Sequence, residues 1–155
     1  MKILFVCLGN ICRSPTAEGV MLQMIADARR AQPDLDVVVD SCGTAGYHVG
    51  EPPDARTVAH AHKRGYDLAP LRARKLAPAD FLLFDHIYCM DQNNLGTVRA
   101  LCPPQHVHKL ALFLDVLGEP GREVPDPWAH GPEAFEEVLD LVERGCAAIL
   151  AGLPR

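Results

Sequence analysis

A short apolar run at the start of the chain ends in a cysteine, and the residues best suited to chemistry follow it. The stretch reads VCLGNICRSPTAEG, with Cys7 at the end of the run, Gly9 in the turn, and Arg13 and Ser14 before a proline. A glycine-containing loop that leads into a helix can point several backbone N–H groups inward and bind an anion. The guanidinium of Arg13 adds a planar fork for two oxygens, so this segment favours a tetrahedral oxyanion.

Cys7 would lie beside the bound anion as a nucleophile. A positive setting of this kind lowers the pKa of a cysteine thiol and favours the thiolate at neutral pH. If the anion is a phosphoryl group, attack by sulfur yields a phosphocysteine, and Ser14 can donate a hydrogen bond to the thiolate. A cysteine that ends a buried strand is usually a packing residue, but the joint Cys-x5-Arg-Ser pattern at a strand–helix junction favours catalysis.

The elements that position this loop follow an alternating pattern. A strand at 2–7, a helix with Ser14 as N-cap and Pro15 at its first position, and a strand at 35–40 form a βαβ unit. Further elements are expected as a helix at 54–64, a strand at 86–90, a strand within 106–114 and an amphipathic helix from Phe135. The pattern predicts one doubly wound α/β domain over residues 1–155, with its ligand site beyond the carboxyl ends of the strands.

Composition excludes several classes of protein. The net charge of −5 argues against nucleic acid as a partner, and the absence of a signal peptide and of a long apolar stretch predicts a cytoplasmic protein without membrane contact. Six cysteines without a CxxC pair fit a reducing compartment better than a disulfide framework or a zinc site. His106 and His108 could share a strand face, but no third ligand has a recognisable spacing, so no metal or cofactor is expected.

A proline-rich loop near the end of the chain offers a proton donor. Pro125 and Pro127 bracket Asp126 and stiffen its backbone, while Trp128 can stack on a phenyl ring and exclude water. Asp-Pro often merely begins a turn, so the local sequence leaves this role open. Tyr47, in the glycine-rich loop after the second strand, could line a deep aromatic slot. The basic cluster of Arg72, Arg74 and Lys75 is predicted to be a solvated face.

The sequence closely resembles the low molecular weight protein tyrosine phosphatases. FVCLGNICRSPTAEG is similar to their signature loop, and SCGTAGYHVGEPPDAR, LRARKL, FDHIYCMDQNNL and VPDPWAHG resemble later blocks in the same order. The resemblance spans nearly the whole chain. It implies a four-stranded parallel sheet flanked by helices on both faces and a metal-independent hydrolysis of phosphotyrosine in proteins, which would be the partners of an expected monomer.

The resemblance also implies roles for individual residues. It makes Cys7 the nucleophile, Arg13 the phosphate ligand and Asp126 the general acid. Substrate-binding positions are implied for the rest of the loop and for the pocket mouth: Leu8, Gly9, Asn10, Ile11, Cys12, Ser14, Tyr47 and Trp128. Within this set Asn10 would hold the loop conformation, Ser14 would support the thiolate and Cys12 would form a reversible disulfide with Cys7.

Two departures from the family pattern and two competing functions complete the interpretation. Many members carry a histidine where this chain has Leu71, and two tyrosines where it has Trp128 and Ala129. A thiol-dependent arsenate reductase uses a similar loop and would need a relay, for which Cys89 and Cys102 are the nearest downstream pair. A non-catalytic phosphate-binding module is the third possibility, against which the intact loop and acid argue.

Overall fold

The structure, a computed structural model, describes residues 1–154 and contains one parallel sheet between two layers of helices. The strands are β1 (Lys2–Cys7), β2 (Val38–Gly43), β3 (His86–Cys89) and β4 (Leu110–Leu112), in the spatial order β2-β1-β3-β4. The α-helices are α1 (Arg13–Ala28), α2 (Ala55–Lys63), α3 (Asp80–Leu83), α4 (Gln92–Leu101) and α5 (Pro132–Ala151). This confirms the predicted α/β fold with helices on both faces.

The residues of β1 alternate between two hydrophobic cores, as a fully buried strand requires. Ile3 and Phe5 face a core formed with α1 and α5. Leu4 and Val6 face the opposite core, which includes Phe81 of α3 and the buried apolar residues of α4. Burial on both faces explains why the opening run is continuously apolar.

The order of the strands reverses at β1, which pairs with β2 on one side and with β3 on the other. The chain leaves β1 through α1 and leaves β3 through α4, so the two connections diverge. A crevice forms beyond the carboxyl ends of the strands at such a switch point. Cys7 ends β1 and Asp91 comes two residues after β3, so both lie at this crevice.

The second strand differs from its prediction: it spans Val38–Gly43 instead of 35–40. Its last residues pair with the end of β1, Val6 with Cys42 and Cys7 with Gly43. The stretch Ser-Cys-Gly reads as loop because polar and glycine residues weaken a strand locally. Here the parallel ladder and the hydrogen bonds of Ser41 compensate for that weakness.

Two other expectations are corrected. Helix α1 begins at Arg13, with Cys12 at the N-cap position, and the hydroxyl of Ser14 contacts Cys7 instead of capping the helix. His106 and His108 lie in a 3-10 helix, Pro104–Lys109, and not on a strand face. A proline at the start of this segment favours the tight turn.

Candidate active site

The loop from Cys7 to Cys12 is fastened at its base by backbone hydrogen bonds from the chain after β2. The N–H groups of Thr44 and Ala45 donate to the carbonyls of Cys7 and Leu8, each at 2.9 Å. This close approach requires glycine at position 43, because a Cβ there would lie 2.7 Å from the Leu8 carbonyl oxygen. The loop is therefore held in a fixed position at the carboxyl ends of β1 and β2.

Asn10 gives the loop its shape. It has a positive φ of 57°, a conformation that asparagine tolerates better than most residues. In this conformation its backbone N–H points back to the Cys7 sulfur, with N and Sγ 3.3 Å apart. Its side chain is buried, donating to Ser14 Oγ at 2.8 Å and to Ser41 Oγ at 2.9 Å.

The sulfur of Cys7 receives a second polar contact from the start of α1. Ser14 Oγ lies 2.9 Å from Cys7 Sγ. Since Asn10 already donates to this hydroxyl, the serine hydrogen is free to point toward the sulfur. The contact stabilises a thiolate more than a thiol, because the acceptor then carries a charge.

Arg13 is a buried guanidinium fixed from behind. Its NH1 donates to Asp91 Oδ2 at 2.6 Å and to the carbonyl of Val124 at 3.0 Å. Its NH2 is 3.7 Å from Asp126 Oδ2, too far for a hydrogen bond. Burial opposes the charge, but Cys7 and Asp91 together raise the pKa of Arg13 above the ordinary arginine value.

These side chains converge on a cavity of about 210 Å³ at the crevice. It is lined by Cys7, Leu8, Gly9, Ile11, Cys12, Arg13, Tyr47, His48, Asp126 and Trp128. Asn10 and Ser14, predicted with the substrate-binding group, do not line the cavity and act from behind the loop. The remaining predicted residues are brought together here from the first loop, the segment after β2 and the proline-rich loop.

The second cysteine of the loop differs from the first in its surroundings. Burial raises the pKa of the Cys12 thiol to about 12, so Cys12 is protonated at neutral pH. Cys7 instead has the two polar contacts described above, with the Asn10 N–H and the Ser14 hydroxyl. The two cysteines that line the cavity therefore differ in the groups that contact their sulfur atoms.

The acid candidate stands at the mouth of the cavity. The Asp126 side chain is 49% exposed, and its Oδ1 accepts a hydrogen bond from the backbone N–H of Trp128 at 3.1 Å. Trp128 is 58% exposed and Tyr47 76% exposed, so two aromatic rings stand open to solvent around the entrance. Exposed aromatic surface beside a mainly apolar pocket that holds a few polar groups is typical of a ligand site.

Sequence reasoning missed several residues of this site. Asp91 holds Arg13 and also caps α4 by accepting from Asn94 N–H at 2.7 Å; its only sequence signal is a carboxylate after a predicted strand. His48 lines the cavity, packs against Gly9 and pairs with Glu51.

The basic cluster was predicted to be a solvated face, and Arg72 and Lys75 are indeed exposed. Arg74 differs, because its side chain is only 32% exposed and is held in ion pairs. Its guanidinium joins Asp40 and Asp80, each at 3.0 Å, and its backbone N–H donates to the Asn10 side chain at 2.9 Å. Leu71, at the position of the family histidine, is partly buried against the core of α1 and α5. The segment 71–76 thus supports the loop through Arg74.

Comparisons with known proteins agree on one family. The family model described as low molecular weight phosphotyrosine protein phosphatase matches residues 2–155. Proteins of that description from Schizosaccharomyces pombe and Homo sapiens are 41% and 35% identical, over 92% and 96% of this chain and 91% and 93% of their own lengths. A crystal structure of a protein tyrosine phosphatase from Entamoeba histolytica is similar with a TM-score of 0.89 at 37% identity, covering 97% of this chain and 95% of that one.

Within residues 1–154, no group of three or more histidine, cysteine or acidic side chains is arranged to hold a metal ion. In that part of the chain no helix is both long and apolar enough to cross a membrane.

Proposed function

Because the chain belongs to the low molecular weight phosphotyrosine protein phosphatase family, we propose that it hydrolyses phosphotyrosine in proteins and small aryl phosphates through a phosphocysteine. One observation carries the proposal: the Cys7 sulfur, the Arg13 guanidinium and the Asp126 carboxyl line one cavity. A nucleophile, an anion ligand and a proton donor are thus within reach of one bound group.

Phosphate binding depends on charge fixed in advance. Arg13 is buried and held by Asp91, so little reorganisation is needed when a dianion enters. The loop N–H groups and the positive end of α1 add partial charges on the same side. The phosphoryl group would be held with its phosphorus facing Cys7.

In the first step the Cys7 thiolate attacks phosphorus. The P–S bond forms while the bond from phosphorus to the phenolic oxygen breaks. Asp126 gives its proton to the departing oxygen, so the product is a neutral phenol. Asp126 lines the cavity and is half exposed, which suits this role, and general acid catalysis contributes about 10²–10⁴-fold to the rate.

In the second step water attacks the phosphocysteine. Asp126, now a carboxylate, accepts a proton from the water, the P–O bond forms and the P–S bond breaks. The sulfur leaves as a thiolate, and the Ser14 hydroxyl at 2.9 Å stabilises the charge as it develops. Inorganic phosphate is released and the starting state returns.

Selectivity for tyrosine follows from the entrance. Leu8, Tyr47 and Trp128 expose apolar and aromatic surface around it. A phenyl ring can fill the space between these side chains while its phosphate reaches Cys7. A phosphoserine side chain is shorter and would leave the aromatic surface of the entrance exposed to solvent. We therefore assign phosphotyrosine proteins as substrates.

Cys12 is assigned as the redox partner of Cys7. Peroxide would oxidise the Cys7 thiolate to a sulfenic acid with release of hydroxide. The Cys12 sulfur would then attack, forming the disulfide and expelling water, and a thiol reductant would restore both cysteines. Both residues line the same cavity, which supports the assignment.

The arsenate reductase alternative needs a cysteine relay near the nucleophile. Cys89 and Cys102 are buried in the core on the other face of the sheet from Cys7. Burial raises the pKa of both thiols, to about 12 for Cys89. These positions favour the phosphatase assignment.

The decisive experiment compares wild-type protein with Cys7→Ser and Cys12→Ser. We expect wild type to hydrolyse p-nitrophenyl phosphate and a phosphotyrosine peptide, Cys7→Ser to bind the peptide without turnover, and Cys12→Ser to be active in reducing buffer but to recover poorly after peroxide. Arsenate with a thioredoxin system tests the alternative in parallel. Turnover by Cys7→Ser at the wild-type rate, or arsenate reduction without phosphatase activity, would refute the proposal.

A further inference from the structure

Cys12 borders a second, much smaller cavity that the proposed hydrolysis of phosphate does not use. This small cavity has a volume of about 10 Å³, which is room for one water molecule. It is lined by Cys12, Thr16, Thr57, His60, Pro127, Phe135, Val138 and Leu139. Because Cys12 also lines the substrate cavity, this one residue borders both spaces.

Two side chains of α2 bring polar atoms to the small cavity. Thr57 and His60 are three residues apart, so they lie on one face of the helix. Thr57 is only 5% exposed, and within residues 1–154 its Oγ1 is fully buried without a hydrogen-bond partner. An unpaired buried hydroxyl is costly and points to a polar occupant of the cavity. The start of α2 is fixed to the catalytic loop, since the Asp54 N–H donates to the Ile11 carbonyl at 2.9 Å.

His60 is held in one orientation by its neighbours on α5. Its ring stacks on Phe135, with the centroids 5.6 Å apart and the ring planes inclined by 9°. Its Nδ1 lies 2.5 Å from Glu136 Oε2, and Arg64 binds the other oxygen of the same carboxylate at 2.8 Å. A carboxylate beside Nδ1 makes that nitrogen the donor, so in the neutral ring Nε2 is left as a proton acceptor.

The formation of a disulfide by Cys12 requires a base. The pKa of the Cys12 thiol is raised to about 12, chiefly by burial and further by the charges of Asp54, Cys7 and Asp126. The Thr57 hydroxyl faces the sulfur outside hydrogen-bond geometry and opposes this rise. Since the thiolate and not the thiol attacks sulfur, Cys12 must lose its proton as it reacts.

We propose that His60 is the base that accepts the Cys12 proton during disulfide formation, and that the Thr57 hydroxyl stabilises the thiolate as it develops. The inference rests on the proposed pairing of Cys12 with Cys7. The Cys12 proton passes through one water in the small cavity to Nε2 of His60, while the Cys12 sulfur attacks the sulfenic sulfur of Cys7. The S–S bond forms and the S–O bond breaks. The hydroxide that leaves takes a proton from solvent to become water, and His60 returns its proton to solvent.

The test compares His60→Gln with His62→Gln, which removes an exposed histidine from the same helix. Each reduced protein is treated with peroxide in the presence of dimedone, and mass spectrometry follows the Cys7–Cys12 disulfide and the dimedone adduct of the Cys7 sulfenic acid. Wild type and His62→Gln should form mainly the disulfide. His60→Gln should form it about 10²-fold more slowly, as expected for the loss of a general base, and should accumulate the adduct. Turnover of p-nitrophenyl phosphate in reducing buffer should be unchanged in both variants.

The dependence on pH separates a missing base from a disturbed structure. Without a base, the Cys12 thiol must ionise in equilibrium with solvent far below its pKa of about 12. The rate of disulfide formation in His60→Gln should therefore rise about tenfold per pH unit between about pH 6 and about pH 9. The rate in wild type should rise less steeply over the same range.

Thr57→Val, which removes the hydroxyl with little change in size, decides the matter if His60→Gln does not fold. It should slow disulfide formation about three- to tenfold, as expected for one lost hydrogen bond. A wild-type rate or a wild-type pH slope in His60→Gln, or an unchanged rate in Thr57→Val, overturns the proposal. So does a wild type that cleaves aryl phosphate but forms no Cys7–Cys12 disulfide. Failure of wild type to cleave aryl phosphate would instead sink the proposed function, and the rates of disulfide formation would still test His60.

Discussion

Replacing Glu18 by glutamine is expected to make the stability of the protein less dependent on pH. The pKa of Glu18 rises from an ordinary value of 4.5 to about 7 on folding, chiefly because the carboxyl is buried. A carboxyl whose pKa is raised by folding contributes stability below its unfolded pKa, and that contribution is lost as the pH rises through the folded value. The window for this loss is therefore from 4.5 to about 7.

The magnitude follows from the same two values. Each pKa unit corresponds to about 1.36 kcal/mol, so ionisation of Glu18 costs the folded state about 3 kcal/mol at alkaline pH. For a chain of this size each kcal/mol moves the melting temperature by about 2–4 °C. Relative to wild type, Glu18→Gln should thus gain about 6–12 °C between about pH 4.5 and pH 8.

The assay is thermal unfolding followed by circular dichroism at a series of pH values. Glu137→Gln is the control, since Glu137 is an exposed carboxyl on α5. The difference in melting temperature between Glu18→Gln and wild type should rise with pH, whereas the difference between Glu137→Gln and wild type should stay constant. A difference for Glu18→Gln that is flat from about pH 4.5 to pH 8 would refute the reasoning, whatever its absolute size.

Three further predictions concern the site. Asp126→Ala should lower kcat by about 10²–10⁴-fold for poor leaving groups and much less for good ones; a series of aryl phosphates checks this, and equal losses across the series would contradict it. Asp91→Asn keeps an oxygen to cap α4 but removes the charge that holds Arg13, so kcat/KM should fall about 10- to 100-fold with unchanged helix content; a rate near wild type would show that Arg13 is held by other contacts. Gly43→Ala places a Cβ 2.7 Å from the Leu8 carbonyl oxygen and should lower the free energy of unfolding by about 1–3 kcal/mol and reduce activity. In the matched control Gly96→Ala in α4, the new Cβ meets nothing within 4 Å, so this variant should keep full activity. Equal behaviour of the two variants in unfolding and turnover assays would argue against a constrained loop.

Much of the catalytic loop was predictable because its signals are local. The spacing of Cys7 and Arg13 across a strand–helix junction, with a glycine between them, predicts an anion site without knowledge of the rest of the chain. The continuous apolar run of β1 likewise predicts a strand buried on both faces. Helix 54–64 was predicted within one residue at each end, and in the structure the Asp54 side chain caps its start.

Contacts between distant segments could not be predicted in the same way. In the sequence, Asp91 resembles an ordinary helix cap and Glu18 an ordinary acid in a helix. Only the fold brings Asp91 to Arg13 and Ser41 of β2 to Glu18. Arg74 was misread for the same reason, because a basic cluster is usually solvated and its two carboxylate partners lie 34 and 6 residues away.

The amino-acid sequence alone therefore determined the α/β class and predicted an anion-binding loop with Cys7 as its nucleophile, since each depends on residues that are neighbours in the chain. Only the tertiary structure decided which groups stand behind the loop: Asp91 on the guanidinium, and Glu18 on the Ser41 hydroxyl. The physical reason is that burial and hydrogen-bond direction are set by what the sheet brings together, and a linear pattern carries neither.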